Sequence, residues 1–323
     1  MTSDFPAPAF IDAKDVRFAV YERDGDPARE RPPVLFIHGW PELAYSWRNQ
    51  LAPVAEAGFR AIAFDLKGFG RSSAPEDPAK YSIHLLTDEI AALLDALSVE
   101  KAIVVGHDWG GAIAWPFAQL HGARVVAVAS VCTPHRPPPP VSPLSIIERR
   151  FGPDHYFITF QKPGVAEKTF ATDPERFFRL LFRKPVDPAR ARKLGPRLYD
   201  ILGRFKNAPV PPKDDLVMAE ADLNHYVEAY KRAGFHGGVN LYRNIDVNWE
   251  IMKSVDPKIE HPALWVGATA DFFLPPDSAD GMEELVPKLE KRMIEDCGHW
   301  VTWEKPDALN EILIDWLLRQ MPR

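Results

Sequence analysis

Apolar runs of strand length alternate with amphipathic stretches from Val16 to Val131. Val16–Glu22, Pro33–His38, Arg60–Asp65, Ala102–Gly106 and Val125–Val131 read as strands. The run from Pro33 to Ile37 is unbroken, as in a strand buried on both faces. Ala44–Gly58, Ile83–Leu97 and Ala112–His121 carry helical spacing between them. Strand–helix–strand repetition with short connections predicts a mostly parallel central sheet flanked by helices on both faces.

The alternation then stops. Pro137–Pro140 is a run of four prolines, which continues neither a helix nor an interior strand. From Ser142 to Tyr242 the spacing is helical, rich in Arg and Phe, with no clear strand. Ala263–Ala268 and Arg292–Glu295 read as strands again, and Ala308–Leu318 as a closing amphipathic helix with Pro306 and Asp307 just before it. The economical division is an α/β core made of residues 1–135 and 246–323, interrupted by an inserted helical cap over 136–245.

Composition narrows the class. The 323 residues are 46% hydrophobic and 26% charged, which excludes a disordered or collagen-like chain. A net charge of −6 lacks the basic excess expected of a nucleic-acid binder. Two cysteines, Cys132 and Cys297, are too few for a disulfide framework or a tetrathiolate metal site, so a reducing, cytoplasmic setting is expected. The start, MTSDFPAPAF, has neither a basic n-region nor an apolar h-region, and no stretch predicts a membrane span.

The informative chemistry lies at Gly106-His107-Asp108-Trp109-Gly110, between a predicted strand and a predicted helix. Gly-x-nucleophile-x-Gly in that context is a nucleophile elbow, with Asp where serine hydrolases carry Ser. Alone, Asp108 reads equally well as a helix N-cap. Three further pieces change the balance. His38-Gly39-Trp40-Pro41 ends an apolar strand, where a backbone N–H can aim at the elbow. Asp271 follows the strand Leu264–Gly267, and His299 in Asp296-Cys297-Gly298-His299-Trp300 follows the next one. Singly, Asp271 reads as a turn residue and His299 as a loop histidine. Together they give the order nucleophile, acid, histidine that this elbow requires.

With these pieces the chain resembles the epoxide hydrolases of the α/β-hydrolase fold, above all the catalytic domain of the soluble ones. The likeness also rests on Tyr45-Ser46-Trp47-Arg48 and on Asp65-Leu66-Lys67-Gly68-Phe69-Gly70-Arg71-Ser72, and covers nearly the whole chain. Lys67 and Trp40 stand where Arg and Phe are commoner in that family. The resemblance implies an inserted helical lid and hydrolysis of an epoxide to a vicinal diol through an aspartyl ester. It maps two ring-opening tyrosines onto Tyr156, in Tyr156–Gly164, and Tyr242, in Asn240–Asn244. It also implies an oxyanion hole from the backbone N–H groups of Trp40 and Trp109. An apolar pocket is expected from Trp40, Trp109, Phe157, Phe160, Phe272 and Trp300.

Elementary chemistry agrees with that assignment. A serine that opened an epoxide would become an ether, which a histidine-activated water does not cleave, whereas an aspartate becomes a hydrolysable ester. Asp108 needs no base, since an ordinary Asp pKa of about 3.9 leaves it ionised at neutral pH. His299, oriented by Asp271, is then free to activate water. No cofactor and no metal are expected, because no His-Glu-x-x-His or similar ligand spacing occurs. The expected partners are a small hydrophobic epoxide and water, with no nucleic acid or membrane; a homodimer is left open.

Three rival readings keep the same fold. A haloalkane or haloacid dehalogenase uses the same aspartate, and Trp109 matches the halide-binding tryptophan beside it. A halide leaves without a proton, however, so the tyrosine pair would have no task. A non-catalytic ligand-binding member would lack one of the catalytic groups, and none is missing. A Cys297 thiol nucleophile is disfavoured by its place at a strand end, away from the elbow.

Overall fold

The computed structural model describes residues 5–186 and 193–320. Eight strands form one sheet in the order β1-β2-β4-β3-β5-β6-β7-β8. They are β1 (Ala9–Ala13), β2 (Val16–Arg23), β3 (Val34–Ile37), β4 (Ala61–Phe64), β5 (Ala102–His107), β6 (Val125–Val131), β7 (Ala263–Ala268) and β8 (Leu289–Ile294). Within this sheet, among the described residues, only the β1–β2 and β2–β4 pairings are antiparallel. From β4 through β8 every pairing is parallel.

Three helices connect strand to strand as the alternation predicts, and a fourth closes the chain. They are α1 (Arg48–Glu56), α2 (Ile83–Ala96) and α3 (Trp109–Leu120), with a C-terminal helix Pro306–Gln320 closing the chain. Leu51 and Val54 of α1 pack with Leu309, Leu313 and Trp316 of that last helix on one face of the sheet. Ile90 of α2 and Ile113 of α3 pack on the other face. β3 and β5 are wholly buried, which explains their unbroken apolar sequences.

Between β6 and β7 the chain is helical: α4 (Pro143–Phe151), α5 (Tyr156–Thr159), α6 (Val165–Ala171), α7 (Pro174–Leu181), α8 (Ile201–Asn207), α9 (Glu220–Ala233), α10 (His236–Arg243) and α11 (Ile245–Met252). Among the described residues its only β pairing is an isolated bridge, Arg183 to Leu216. Residues 187–192 of the predicted helical run lie outside the described residues. After β8 come α12 (Val301–Glu304) and the C-terminal helix, α13 (Pro306–Gln320). No helix among the described residues is long and apolar enough to cross a membrane.

The differences from expectation fall at the margins of the sheet. β1 carries no sequence signal, because as an edge strand it exposes most of its side chains. β8 begins at Leu289 rather than Arg292; its Glu290, Lys291 and Arg292 are edge-strand charges that hide the strand. Ala44–Trp47 is a 3₁₀ turn ahead of α1 rather than its first turn. Pro306 and Asp307 open α13 instead of preceding it, as proline tolerates the first helical position.

Candidate active site

The chain turns from β5 into α3 at Asp108, which holds φ 52° and ψ −120°, a conformation costly for any residue but Gly. The neighbouring glycines make that turn feasible. A Cβ on Gly106 would lie 2.2 Å from the Gly110 carbonyl oxygen, and one on Gly110 only 1.9 Å from the Ile37 oxygen. β5, α3 and β3 therefore meet backbone to backbone, and the Asp108 side chain stands above the sheet. Thr133 Oγ1 donates to the Asp108 carbonyl at 2.7 Å and braces the turn.

The loop after β3 supplies a donor to this carboxylate. The Trp40 N–H donates to Asp108 Oδ1 at 2.8 Å. His38, fully buried, fixes the loop: Nδ1–H donates to the Gly39 carbonyl at 2.8 Å and Nε2 accepts from Leu66 N–H at 3.0 Å. Burial pushes the His38 pKa down to about 4, so it serves as a neutral strut. The Trp40–Pro41 peptide is cis. The Trp109 N–H belongs to the first turn of α3, where backbone donors have no helical partner.

Asp271 and His299 complete the carboxylate side. His299 Nδ1–H donates to Asp271 Oδ2 at 2.8 Å, and Nε2 faces Asp108 Oδ2 at 3.5 Å. Asp271 is locked in turn, its Oδ1 accepting from the N–H groups of Phe273 at 2.9 Å and Leu274 at 3.0 Å. Burial works to lower the His299 pKa, but the Asp271 charge and hydrogen bonds to both carboxylates hold it well above the ordinary imidazole value. Burial opposes the Asp108 charge as well, yet His299, His107 and the Trp40 N–H outweigh it and keep that carboxyl below its usual range.

Tyr156, the first residue of α5, and Tyr242, near the end of α10, border the same cavity as Asp108 and His299. Their rings are 5.3 Å apart. Burial first, reinforced by the Asp108 charge, raises both phenols above their ordinary value. They are thus protonated donors at neutral pH. Trp40, Leu181, Phe273 and Trp300 close the sides of the cavity.

Of the rings expected to line the pocket, Trp40 and Trp300 do so. Trp109, Phe157 and Phe160 stand behind, each packed on Tyr242 at 5.0 to 5.3 Å. Phe272 lines an adjoining space that shares Leu181, Phe273, His299 and Trp300 with the cavity. Leu181 and Phe273 went unrecognised in the sequence. So did the environment of Glu42, which is fully buried among Tyr226, whose hydroxyl donates to Oε2, and Trp303, whose Nε1–H donates to Oε1 at 3.2 Å. Burial lifts its pKa to about 8. Its place in His38–Glu42 was visible, but nothing local marks a buried acid.

Cys297 is buried with its thiol pKa pushed up to about 12, so it is no nucleophile. Among the described residues, His107, Cys132 and His299 place donor atoms within 4.8 Å of one another. Of the ring nitrogens, His107 Nδ1 is buried without a hydrogen-bond partner among the described residues. His107 Nε2–H donates to the His299 carbonyl at 2.9 Å, Asp271 takes His299 Nδ1, and burial keeps the Cys132 thiol protonated.

Residues 32–306 match the alpha/beta hydrolase fold family. The chain is 37% identical to epoxide hydrolase A of Mycobacterium tuberculosis over 97% of both chains. It is 39% identical to bifunctional epoxide hydrolase 2 of Rattus norvegicus over 88% of its own length, and spans about half of that longer relative, 51%. Among solved structures it superposes on epoxide hydrolase A from Mycobacterium thermoresistibile with a TM-score of 0.83, at 34% identity over 97% of this chain and 98% of that one. An epoxide hydrolase from an endophytic Streptomyces gives 0.86 at 32% identity, over 96% and 95%. With this sheet, this elbow and these relatives, the chain belongs to the epoxide hydrolase family of the α/β-hydrolase fold.

Proposed function

We propose that the protein hydrolyses small hydrophobic epoxides to vicinal diols through an ester on Asp108. One observation carries the reading: an ionised carboxylate on a strained elbow faces two protonated tyrosines across a single cavity, with His299 Nε2 3.5 Å away. A carboxylate nucleophile and a pair of neutral proton donors are what opening a strained C–O bond demands.

In the first step an Asp108 oxygen attacks a ring carbon, and the C–O bond of the ring breaks. Tyr156 and Tyr242 hold the departing oxygen with charge-assisted hydrogen bonds worth roughly 1.5–3 kcal/mol each, and one gives up its proton. Esterification removes the negative charge of Asp108, one of the supports of the His299 proton. His299 then releases that proton, which restores the tyrosine. In the second step neutral His299 takes a proton from water as the oxygen adds to the ester carbonyl. The N–H groups of Trp40 and Trp109 hold the oxyanion, each worth about 2.7–4 kcal/mol. Collapse expels the diol, which takes its proton from His299; the acid left on Asp108 recharges the imidazole. One epoxide and one water are consumed.

In this reading residues 136–245 act as the cap over a core of 1–135 and 246–323. Two buried, unpaired cysteines support a cytoplasmic location. The test is a single turnover in oxygen-18 water, with label expected in the Asp108 carboxyl and absent from the diol. Label in the diol would mean direct attack by water and would overturn the scheme. Halide release from haloalkanes without diol formation from styrene oxide would favour a dehalogenase instead.

A further inference from the structure

A second cavity, of about 210 Å³, opens at the seam between the sheet and α9, apart from the catalytic one. Tyr21 of β2 and Asp65, just after β4, form its floor, with Tyr45 beside them. His225, Ala229 and Arg232 lie one turn apart along α9 and make one wall. Phe5 roofs it, its ring 4.7 Å from Tyr21 and 5.1 Å from Tyr45. His225 stacks on Tyr45 with centroids 4.0 Å apart. Aromatic rings therefore make part of the lining, beside Pro6, Pro8, Leu43 and Ala229.

The mouth is cationic. Arg71 and Arg232 both border the cavity and are exposed, and neither forms an ion pair among the described residues. The carboxylate in the floor offsets only one of the two charges. Asp65 is saturated by the N–H groups of Ala44 and Arg71, each at 3.0 Å, and by the Tyr21 hydroxyl at 3.2 Å. Two guanidinium groups and one internally satisfied carboxylate leave an excess of positive charge over a partly aromatic, otherwise apolar lining.

We propose that this cavity is a second ligand site, taking a small aromatic carboxylate with its ring among Phe5, Tyr45 and His225 and its carboxylate at Arg71 and Arg232. Planar guanidinium groups match a carboxylate in geometry as well as charge. The site also touches α9 and the segment that follows the Trp40 loop. Its Tyr45 follows closely on Trp40, whose N–H meets Asp108, and the Tyr45 hydroxyl donates to Asp222 of α9 at 2.8 Å. A ligand here bridges α9 to that loop and alters turnover without occupying the place of the epoxide.

Calorimetric titration of the full chain with benzoate, and with benzamide as its neutral counterpart, tests the proposal independently of the reaction. Benzoate is expected to bind saturably at one site. Arg71→Gln and Arg232→Gln, made singly and together, are expected to weaken it, by about tenfold or more in the double variant, as loss of charge-assisted bonds predicts. Both side chains are on the surface, so unchanged melting temperatures should accompany the loss. In assays of epoxide turnover benzoate should change kcat and leave KM in place. Absence of saturable benzoate binding, equal affinity for benzamide, or undiminished binding in the double variant would each overturn the site. Binding that is competitive with the epoxide would assign benzoate to the catalytic cavity and overturn it too. Loss of epoxide turnover altogether, with benzoate binding intact, would instead strike the proposed reaction.

Discussion

The cavity proposed for catalysis has a floor and a roof built on different principles. On the floor, Asp108, Asp271, His299 and Trp40 follow the carboxyl ends of β5, β7, β8 and β3, where α/β sheets place their ligands. Each is fixed by backbone: by parallel ladders, by glycines that allow no Cβ, and by N–H groups of the Trp40 and Phe273 loops. The roof has no ladder. Tyr156 starts a helix of four residues, and Tyr242 stands among Trp40, Trp109, Tyr156 and Phe160 at ring distances of 5.0 to 5.3 Å. Side chains hold it, with Arg243 reaching the Phe160 carbonyl at 3.0 Å, Asn240 and Glu167. Backbone-fixed groups tolerate no substitute, whereas groups held by ring packing are shared and can be lost by degrees.

That contrast predicts a ranking. The largest effect belongs to the floor: Asp108→Ala removes the proposed nucleophile, and diol formation should fall by about 10⁵-fold or more. A residual rate comparable to that of the tyrosine variants would erase the distinction. Next comes Asp271→Asn, which keeps shape but loses the charge that orients His299. By analogy with other triads the fall is roughly 10³–10⁴-fold, concentrated in ester hydrolysis. Intact mass after mixing with styrene oxide should then show the alkylated protein, and an unmodified mass would place the defect in ring opening instead.

The roof should respond more gently. Tyr156→Phe or Tyr242→Phe each removes one of the two hydrogen bonds proposed to hold the departing oxygen, worth roughly 1.5–3 kcal/mol, so ring opening should slow by about 10- to 150-fold. The double variant should be close to inactive, while the decay of any ester formed stays unchanged. Rapid-quench kinetics separates the two steps. Full activity in the double variant would take the roof out of the reaction.

The same contrast decides what could be read from the chain alone. Asp108 and Asp271 follow apolar runs short enough to be recognised, and His299, after a largely charged strand, was legible through its order behind them. Strands whose side chains are exposed or charged, β1 and the start of β8, left no such trace. The roof tyrosines stood out through the segments around them rather than through periodicity, since a lone tyrosine in an amphipathic helix looks like packing. Which ring faces the cavity is settled only in three dimensions. The Asp271 carboxylate accepts from the N–H of residue 273, and that turn puts Phe273, not Phe272, beside His299. Phe272 instead spends its carbonyl on the Tyr199 hydroxyl. Leu181 and the buried acid at Glu42 depend on how distant segments meet, which local pattern does not encode.

The smallest expected effect probes the charge of the floor. His299 has a raised pKa in the folded protein, so its proton contributes stability that is full below the ordinary imidazole value and is lost as pH rises through the folded one. Asp108 has a lowered pKa and contributes above the ordinary carboxyl value, with loss as pH falls through the folded one. Asp108→Asn removes the Asp108 contribution and the share of the His299 contribution that Asp108 supports, leaving the share that Asp271 supports. The melting temperature of the wild type should therefore exceed that of the variant by the most between about pH 4 and 6.5, the ordinary values of the two groups. The gap should narrow on the alkaline side, as His299 loses its proton even beside Asp108. Imidazole ¹⁵N resonances should show His299 titrating at lower pH in the variant, because one negative neighbour is gone. The neutral Asn imitates the neutral ester in this respect. A gap that widened above pH 6.5, or a His299 that titrated higher in the variant, would mean that Asp108 does not hold the proton. Esterification could not then be the event that frees the base.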